Sequence, residues 1–121
     1  MSDEDDIDGT KPIDPQKALL RIVKMAPQYA KAKAELVYVE EYRKTVKALC
    51  MREAEEAGHR SVAAQEREAY AAPQYIAHLE ALRAAVEQVE KIRWRLVASE
   101  AAVEVWRSQE ASNRRMDRGT Q

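Results

Sequence analysis

The fold class of this chain is decided by residues 73–118, PQYIAHLEALRAAVEQVEKIRWRLVASEAAVEVWRSQEASNRRMDR. Apolar residues recur there at steps of mostly three and four from Leu79 to Trp106, which is typical of one face of an α-helix. No proline follows Pro73, and the composition is rich in alanine, glutamate, arginine and leucine, which favour helix. The stretch therefore predicts one long helix over about residues 73–116.

A second apolar strip lies beside the first on this predicted helix. It consists of Trp94, Val97, Ala101 and Val105. Two adjacent apolar strips are more than a single partner helix can cover. We therefore expect a homo-oligomer. The residues predicted at its interface are Leu82, Val86, Val89, Ile92, Leu96, Val103 and Trp106.

Proline, glycine and capping residues divide the upstream sequence into further helices. Asp14 precedes Pro15, a combination typical of a helix start, and Pro27 fits the first position of the next helix. Gly58 is a typical C-terminal stop, and Ser61 is a typical N-cap. The predicted helices cover about residues 15–25, 27–57, 61–71 and 73–116.

These lengths predict an all-α fold. Two long helices joined by a short helical connector form an antiparallel, coiled-coil-like hairpin, and a further short helix packs against it. Residues 15–121 are expected to be a single helical domain.

Residues 1–14 predict a disordered acidic arm, because they carry six acidic residues against Lys11 and show no apolar periodicity. The arm is either a solubilising tail or a segment that mimics nucleic acid and competes for a basic surface, or contacts a basic partner.

The remaining composition excludes several classes of protein. A single cysteine, Cys50, rules out an intramolecular disulfide framework and fits a reducing compartment. The acidic beginning does not resemble a secretory signal or a transit peptide. No apolar run approaches the ~20 residues that a membrane span needs. We expect a cytoplasmic protein that has no membrane partner.

Few residues are candidates for catalysis or for metal binding. His59 falls in a predicted turn and His78 on a helix surface, and the two do not form a His-x-x-x-His pair. The sequence also lacks a Cys-x-x-Cys pair and a glycine-rich phosphate loop. We therefore expect no catalytic residues, no metal site and no cofactor.

Basic residues near aromatic residues suggest a nucleic-acid site. One group comprises Arg43, Lys44 and Lys47, and the other comprises Arg93, Arg95, Arg107, Arg114, Arg115 and Arg118. Single-stranded nucleic acid is held by cations along its backbone and by aromatic side chains that stack on its bases. Tyr42 and Trp94 are the candidates for stacking. The alternative is that the tryptophans are buried between helices and that the arginines pair with nearby glutamates.

The order of these features resembles a set of small helical proteins encoded by bacteriophages. The resemblance covers most of residues 28–118. It is carried by Ala30-Lys31-Ala32-Lys33-Ala34-Glu35, by residues 38–44 (YVEEYRK) and 65–75 (QEREAYAAPQY), by Arg93-Trp94-Arg95-Leu96 and by residues 104–112 (EVWRSQEAS).

The layout is also similar to that of the UvsY-type recombination mediators of phages. Shared features are a long tyrosine-rich charged helix, a charged connector and a final helix that ends in Arg-x-x-Glu-Ala, here Arg107 to Ala111. The resemblance implies an oligomer that binds single-stranded DNA in the host cytoplasm. It also implies that the oligomer helps to load a recombinase on strands coated by single-strand-binding protein. The acidic arm has no counterpart in this layout.

Two functional hypotheses follow. The first is a non-catalytic phage accessory protein of DNA recombination or replication, with single-stranded DNA, the recombinase and the single-strand-binding protein as partners. The second is a helical protein-interaction module, such as a scaffold, an assembly chaperone or an inhibitor of a host factor, that does not bind nucleic acid.

Overall fold

The computed structural model describes residues 11–119, which form three α-helices. Helix α1 covers Pro15–Glu56, α2 covers Val62–Ala71 and α3 covers Pro73–Gly119. No β-strand occurs within residues 11–119. The prediction of an all-α protein with two long helices is confirmed. Most of the predicted acidic arm, residues 1–10, lies outside the described residues.

Helix α1 begins at the predicted capping residue. The Asp14 carboxylate oxygen Oδ1 accepts hydrogen bonds from the backbone N–H groups of Gln16 at 3.0 Å and of Lys17 at 3.3 Å. These N–H groups belong to the first turn, where no helical carbonyl is available to accept them. Pro15 needs no such partner because it has no N–H group.

Helix α1 is continuous where the sequence predicted two helices, so the predicted break between residues 25 and 27 is wrong. Pro27 lies inside α1 with its side chain exposed. Ala18 is buried before it, and Ala32 and Leu36 are buried after it, at helical spacing. The buried face thus continues past Pro27, and its packing outweighs the one backbone hydrogen bond that proline removes.

Short turns separate the three helices at the predicted positions. After α1, Gly58 has a φ of 105°, a left-handed conformation that glycine adopts readily. The His59 N–H donates to the Ala54 carbonyl at 3.0 Å, which completes a helix-terminating turn. Ser61 Oγ then accepts the Ala64 N–H at 3.1 Å and caps α2. Ala72 is extended before Pro73, which separates α2 from α3.

The packed face of α3 follows a seven-residue repeat. Along this face, buried or half-buried side chains recur at alternating steps of three and four residues, the spacing typical of coiled coils. These positions are Tyr75, His78, Leu82, Ala85, Val89, Ile92, Leu96, Ser99, Val103, Trp106 and Glu110. The repeat is more regular than the sequence suggested, because the small side chains of Ala85 and Ser99 also belong to it, whereas Val86 is exposed.

The chain divides into two compact units. Unit 1 comprises Met1–Tyr29 and Lys91–Gln121, and unit 2 comprises Ala30–Glu90. In unit 2, the His78 Nε2 atom lies 2.7 Å from the Val39 carbonyl oxygen, and Gln74 Nε2 donates to Glu53 Oε2 at 3.1 Å. In unit 1, Arg21 Nε donates to Ser99 Oγ at 3.4 Å. Each unit therefore holds contacts between a segment of α1 and a segment of α3.

We expect Pro27→Ala to stabilise the protein. Alanine restores the backbone hydrogen bond within α1 and removes the steric cost of the proline ring, at an exposed position where no packing is lost. The gain in the free energy of unfolding should be about 1–3 kcal/mol, reduced somewhat because proline also restricts the unfolded chain. Urea unfolding monitored by circular dichroism measures this change.

Gln28→Ala is the matched control, because Gln28 is also exposed but has an ordinary N–H group. A Pro27→Ala variant no more stable than Gln28→Ala would contradict a continuous α1.

Candidate nucleic-acid interface

The two units differ in charge. The described part of unit 1 carries eleven basic and five acidic residues, a net charge of +6, and the five acidic residues of 1–10 bring the sum for the whole unit to +1. Unit 2 carries nine basic and eleven acidic residues, a net charge of −2. The predicted basic residues are divided between the units. Unit 2 contains Arg43, Lys44 and Lys47, and unit 1 contains Arg93, Arg95, Arg107, Arg114, Arg115 and Arg118. The excess of positive charge therefore lies in unit 1.

In unit 2, Lys47 is engaged with α2. Its ammonium lies 2.7 Å from Glu66 Oε1 and 4.9 Å from the centre of the Tyr70 ring. The Tyr70 hydroxyl donates to the same Glu66 oxygen at 3.3 Å. The hydrogen bond with Glu66 raises the pKa of Lys47, and the same bond lowers the pKa of Glu66. Lys47 thus connects α1 to α2, and a phosphate would have to compete with Glu66 for it.

Two other predicted residues of unit 2, Lys44 and Tyr42, also have partners within the chain. Lys44 pairs with Glu41 at 3.0 Å, an exposed pair one turn apart on α1. Tyr42 stacks on Tyr38, with ring centres 5.8 Å apart and planes inclined by 11°, and its ring centre lies 5.9 Å from that of His78. Because Tyr38 already stacks on Tyr42, the Tyr42 ring is a poor platform for a nucleic-acid base. Arg43 is exposed.

In unit 1, the end of α3 presents arginines to solvent. Every residue from Arg107 to Gly119 is exposed except Glu110 and Ala111, which are half-buried. Arg107, Arg114 and Arg118 are separated by seven and four residues, so they lie on one side of the helix, named here the arginine face. This face lies close to the continuation of the packed face of α3.

The contacts of the arginine face are weak. Arg107 pairs with Glu104 at 3.2 Å, and both side chains are about two-thirds exposed. Arg114 Nε donates to its own helix at the Glu110 carbonyl over 3.4 Å. Exposed ion pairs of this kind contribute little to stability, so the guanidinium groups can exchange these partners for phosphate oxygens.

The two tryptophans have different environments. Trp94 is 63% exposed, whereas Trp106 is half-buried within the packed face of α3. Two arginines flank Trp94: Arg93 is exposed and Arg95 is half-buried. Both have contacts within the chain. Trp94 lies on the side of α3 opposite the packed face, because it is two residues, or ~200°, from Ile92 and from Leu96.

The residues predicted at the oligomer interface differ in their exposure within the single chain. Val89 and Ile92 are each 3% exposed within the single chain, so they cannot be covered by a second copy, and their assignment to an oligomer interface is corrected. Leu82, Leu96, Val103 and Trp106 are half-buried on the same packed face. Val86 is 42% exposed and remains accessible. The sequence pattern identified a buried stripe but could not show that the chain itself covers it.

A buried polar pair in unit 1 was not recognised in the sequence. Ser99 is fully buried, and Arg21 is 8% exposed although it is charged. The only sequence signal was positional, since both residues fall where the repeats of α1 and α3 place buried side chains. Such a polar pair favours this register, because a shifted register would place the guanidinium against apolar side chains.

The described residues contain no group of three or more histidine, cysteine, aspartate or glutamate side chains that could hold a metal ion. No helix among them is long and apolar enough to cross a membrane. Cys50 is a buried free thiol, and burial raises its pKa, which disfavours the reactive thiolate.

Comparisons with protein-family models, with curated proteins and with solved structures give no match to this chain.

We expect Glu66→Gln to lower the thermal midpoint near neutral pH, with the difference from the unaltered protein shrinking in acid. The folded state lowers the pKa of Glu66 below its ordinary value of 4.5, so the ionised carboxylate stabilises the fold above that pH. This contribution is lost as the pH falls through the folded pKa. Glutamine removes the charge but can still accept hydrogen bonds from Lys47 and Tyr70.

The thermal midpoint is measured by circular dichroism from neutral pH to below pH 4.5, the ordinary pKa of glutamate. Glu41→Gln is the control, because it removes a carboxylate from an exposed pair within one helix. Equal effects of the two substitutions at every pH would show that the contact between Lys47 and Glu66 does not stabilise the packing of α2.

Proposed function

We propose that this protein is a non-catalytic, oligomeric single-stranded DNA-binding accessory protein of phage recombination or replication. Unit 1 binds the strand, and the bound oligomer helps to load a recombinase on DNA coated by single-strand-binding protein. The mediator role rests on the resemblance to UvsY-type proteins. We also propose that α1 and α3 form an antiparallel hairpin, which is supported by the contacts of Arg21 with Ser99 and of Val39 with His78.

The observation that carries the proposal is the uneven charge. The described part of unit 1 has a net charge of +6, against −2 on unit 2, and the five acidic residues of 1–10 lower the sum for unit 1 to +1 and for the whole chain to −1. Phosphate binding releases condensed counterions, and this gain grows with each cation placed along the strand. An oligomer would bring several copies of the basic unit to one strand, which increases the local positive potential.

The arginine face supplies the main phosphate contacts. A guanidinium group presents several donors in a planar fork and can bind two oxygens of one phosphate. Arg107, Arg114 and Arg118 lie along ~16 Å of α3 at 1.5 Å per residue, so they can contact successive phosphates. Arg115 adds charge beside them.

The contacts of unit 2 favour a smaller role for its basic residues. Lys47 is paired with Glu66, and Tyr42 is stacked on Tyr38. We therefore propose that Arg43 and Lys44 add at most a weak, non-specific attraction.

A second candidate function, a helical protein-interaction module, is supported by exposed apolar side chains in unit 1. Leu19, Leu20 and Val23 are each more than half exposed on α1. Solvent-exposed aliphatic residues grouped within one helical turn are typical of surfaces that bind another protein.

The double substitution Arg114→Glu and Arg118→Glu should weaken DNA binding strongly while leaving a measurable affinity through Arg107 and Arg115. It reverses two charges on the arginine face and leaves the packed positions unchanged. Fluorescence anisotropy of a labelled single-stranded oligonucleotide, with a duplex of the same sequence as the comparison, measures the affinity at several salt concentrations. Each lost phosphate contact should reduce the slope of log K against log salt by about 0.7.

The matched control is Arg43→Glu with Lys44→Glu, which makes the same change of charge on exposed residues of unit 2. Binding that weakens equally in both double variants would contradict the assignment to unit 1. Absence of binding at low salt in the unaltered protein would favour the interaction module. Removing residues 1–10 also distinguishes the DNA-binding protein from the interaction module. A DNA-binding protein should keep or gain affinity for the oligonucleotide without these acidic residues.

A further inference from the structure

The outer side of α3 in unit 1 carries an apolar stripe that no residue between 11 and 119 covers. This outer stripe consists of Trp94, Val97, Ala101 and Val105, all of them exposed. Trp94 is the most exposed of the three large residues, at 63%, against 41% for Val97 and 47% for Val105. Burying an indole removes ~150–250 Å² from water, so this stripe would gain free energy from a partner.

A shallow depression lies at the far end of the same stripe. It is lined by Glu104, Val105, Ser108, Gln109, Ser112 and Asn113. The small side chains at Ser108 and Ser112 lower the helix surface there, while Trp94 projects about three turns away. One helix therefore carries both a large projecting side chain and a hollow.

The charged residues beside the outer stripe favour one relative direction, antiparallel, for two packed copies of α3. Arg93 lies next to Trp94, and Glu104 lies next to Val105. If two copies of α3 pack antiparallel, with Trp94 of each against Val105 of the other, Arg93 of each lies near Glu104 of the other. In a parallel, in-register pair, Arg93 and Glu104 of one copy would lie on the opposite side of the dimer from those of the other, so these opposite charges would not meet.

We infer that a second copy of this chain binds to the outer stripe as an antiparallel, two-fold symmetric dimer. Two symmetric contacts form, each with a Trp94 indole against Val105 and the adjoining depression. The stripe from Trp94 to Ser112 is ~27 Å long at 1.5 Å per residue. A single helix pair of this length buries less than the ~800 Å² per partner of a standard interface, so the dimer is reversible and concentration-dependent.

Sedimentation equilibrium of the full chain without DNA, over a wide range of concentrations, tests this inference. The unaltered protein should show a monomer–dimer equilibrium. Trp94→Ala should raise its dissociation constant at least about tenfold, as expected for a central tryptophan of an interface. The control Leu79→Ala removes an exposed apolar side chain from α3 in unit 2 and should leave the dissociation constant unchanged.

A charge exchange tests the antiparallel direction. Arg93→Glu and Glu104→Arg should each weaken the dimer, and the double variant should restore it because the opposite charges are then exchanged. A protein that stays monomeric at every concentration, or that Trp94→Ala leaves unchanged, overturns the interface. A double variant as weak as the single variants overturns the antiparallel direction. Because no nucleic acid is present, these results are independent of the proposed DNA binding.

Discussion

The packing of one face of each long helix, which on α3 follows a seven-residue repeat, holds the three helices in their arrangement. Helices of 42 and 47 residues obtain most of their stability from packing one face, since local preference contributes little per residue. Small residues such as Ala18, Ala85 and Ser99 occupy several buried positions and allow close packing. The same packing keeps α1 helical through Pro27, and it determines which side chains remain available on the outer faces.

In each unit, polar contacts between helices add to the apolar packing. In unit 1, the buried guanidinium of Arg21 bonds to Ser99, a position where a charge is costly unless it has a partner. In unit 2, Lys47, Glu66 and Tyr70 join α1 to α2 at its partly exposed surface. Both sets restrict how the helices pack, and the second removes Lys47 from the basic residues available to a ligand.

The two proposed activities of unit 1, DNA binding and dimerisation, use different sides of α3. The arginine face lies near the continuation of the packed face, whereas the outer stripe around Trp94 lies on the opposite side of the helix, as helical geometry requires. A strand bound by Arg107, Arg114 and Arg118 would therefore leave Trp94 free to contact a second copy. This arrangement allows dimerisation to double the basic surface without covering it, which suits an oligomeric DNA-binding protein.

The sequence by itself determined the helical class, the caps at Asp14 and Ser61, the stop at Gly58 and the break before Pro73, because these features depend on local backbone chemistry. It also located the arginine face, since helical spacing alone places Arg107, Arg114 and Arg118 together. Only the tertiary structure decided that α1 continues through Pro27, that Val89 and Ile92 are covered within the chain, and that Lys47 is paired with Glu66. Each of these depends on contacts between residues far apart in the sequence, and periodicity can show that a face is buried but not what buries it.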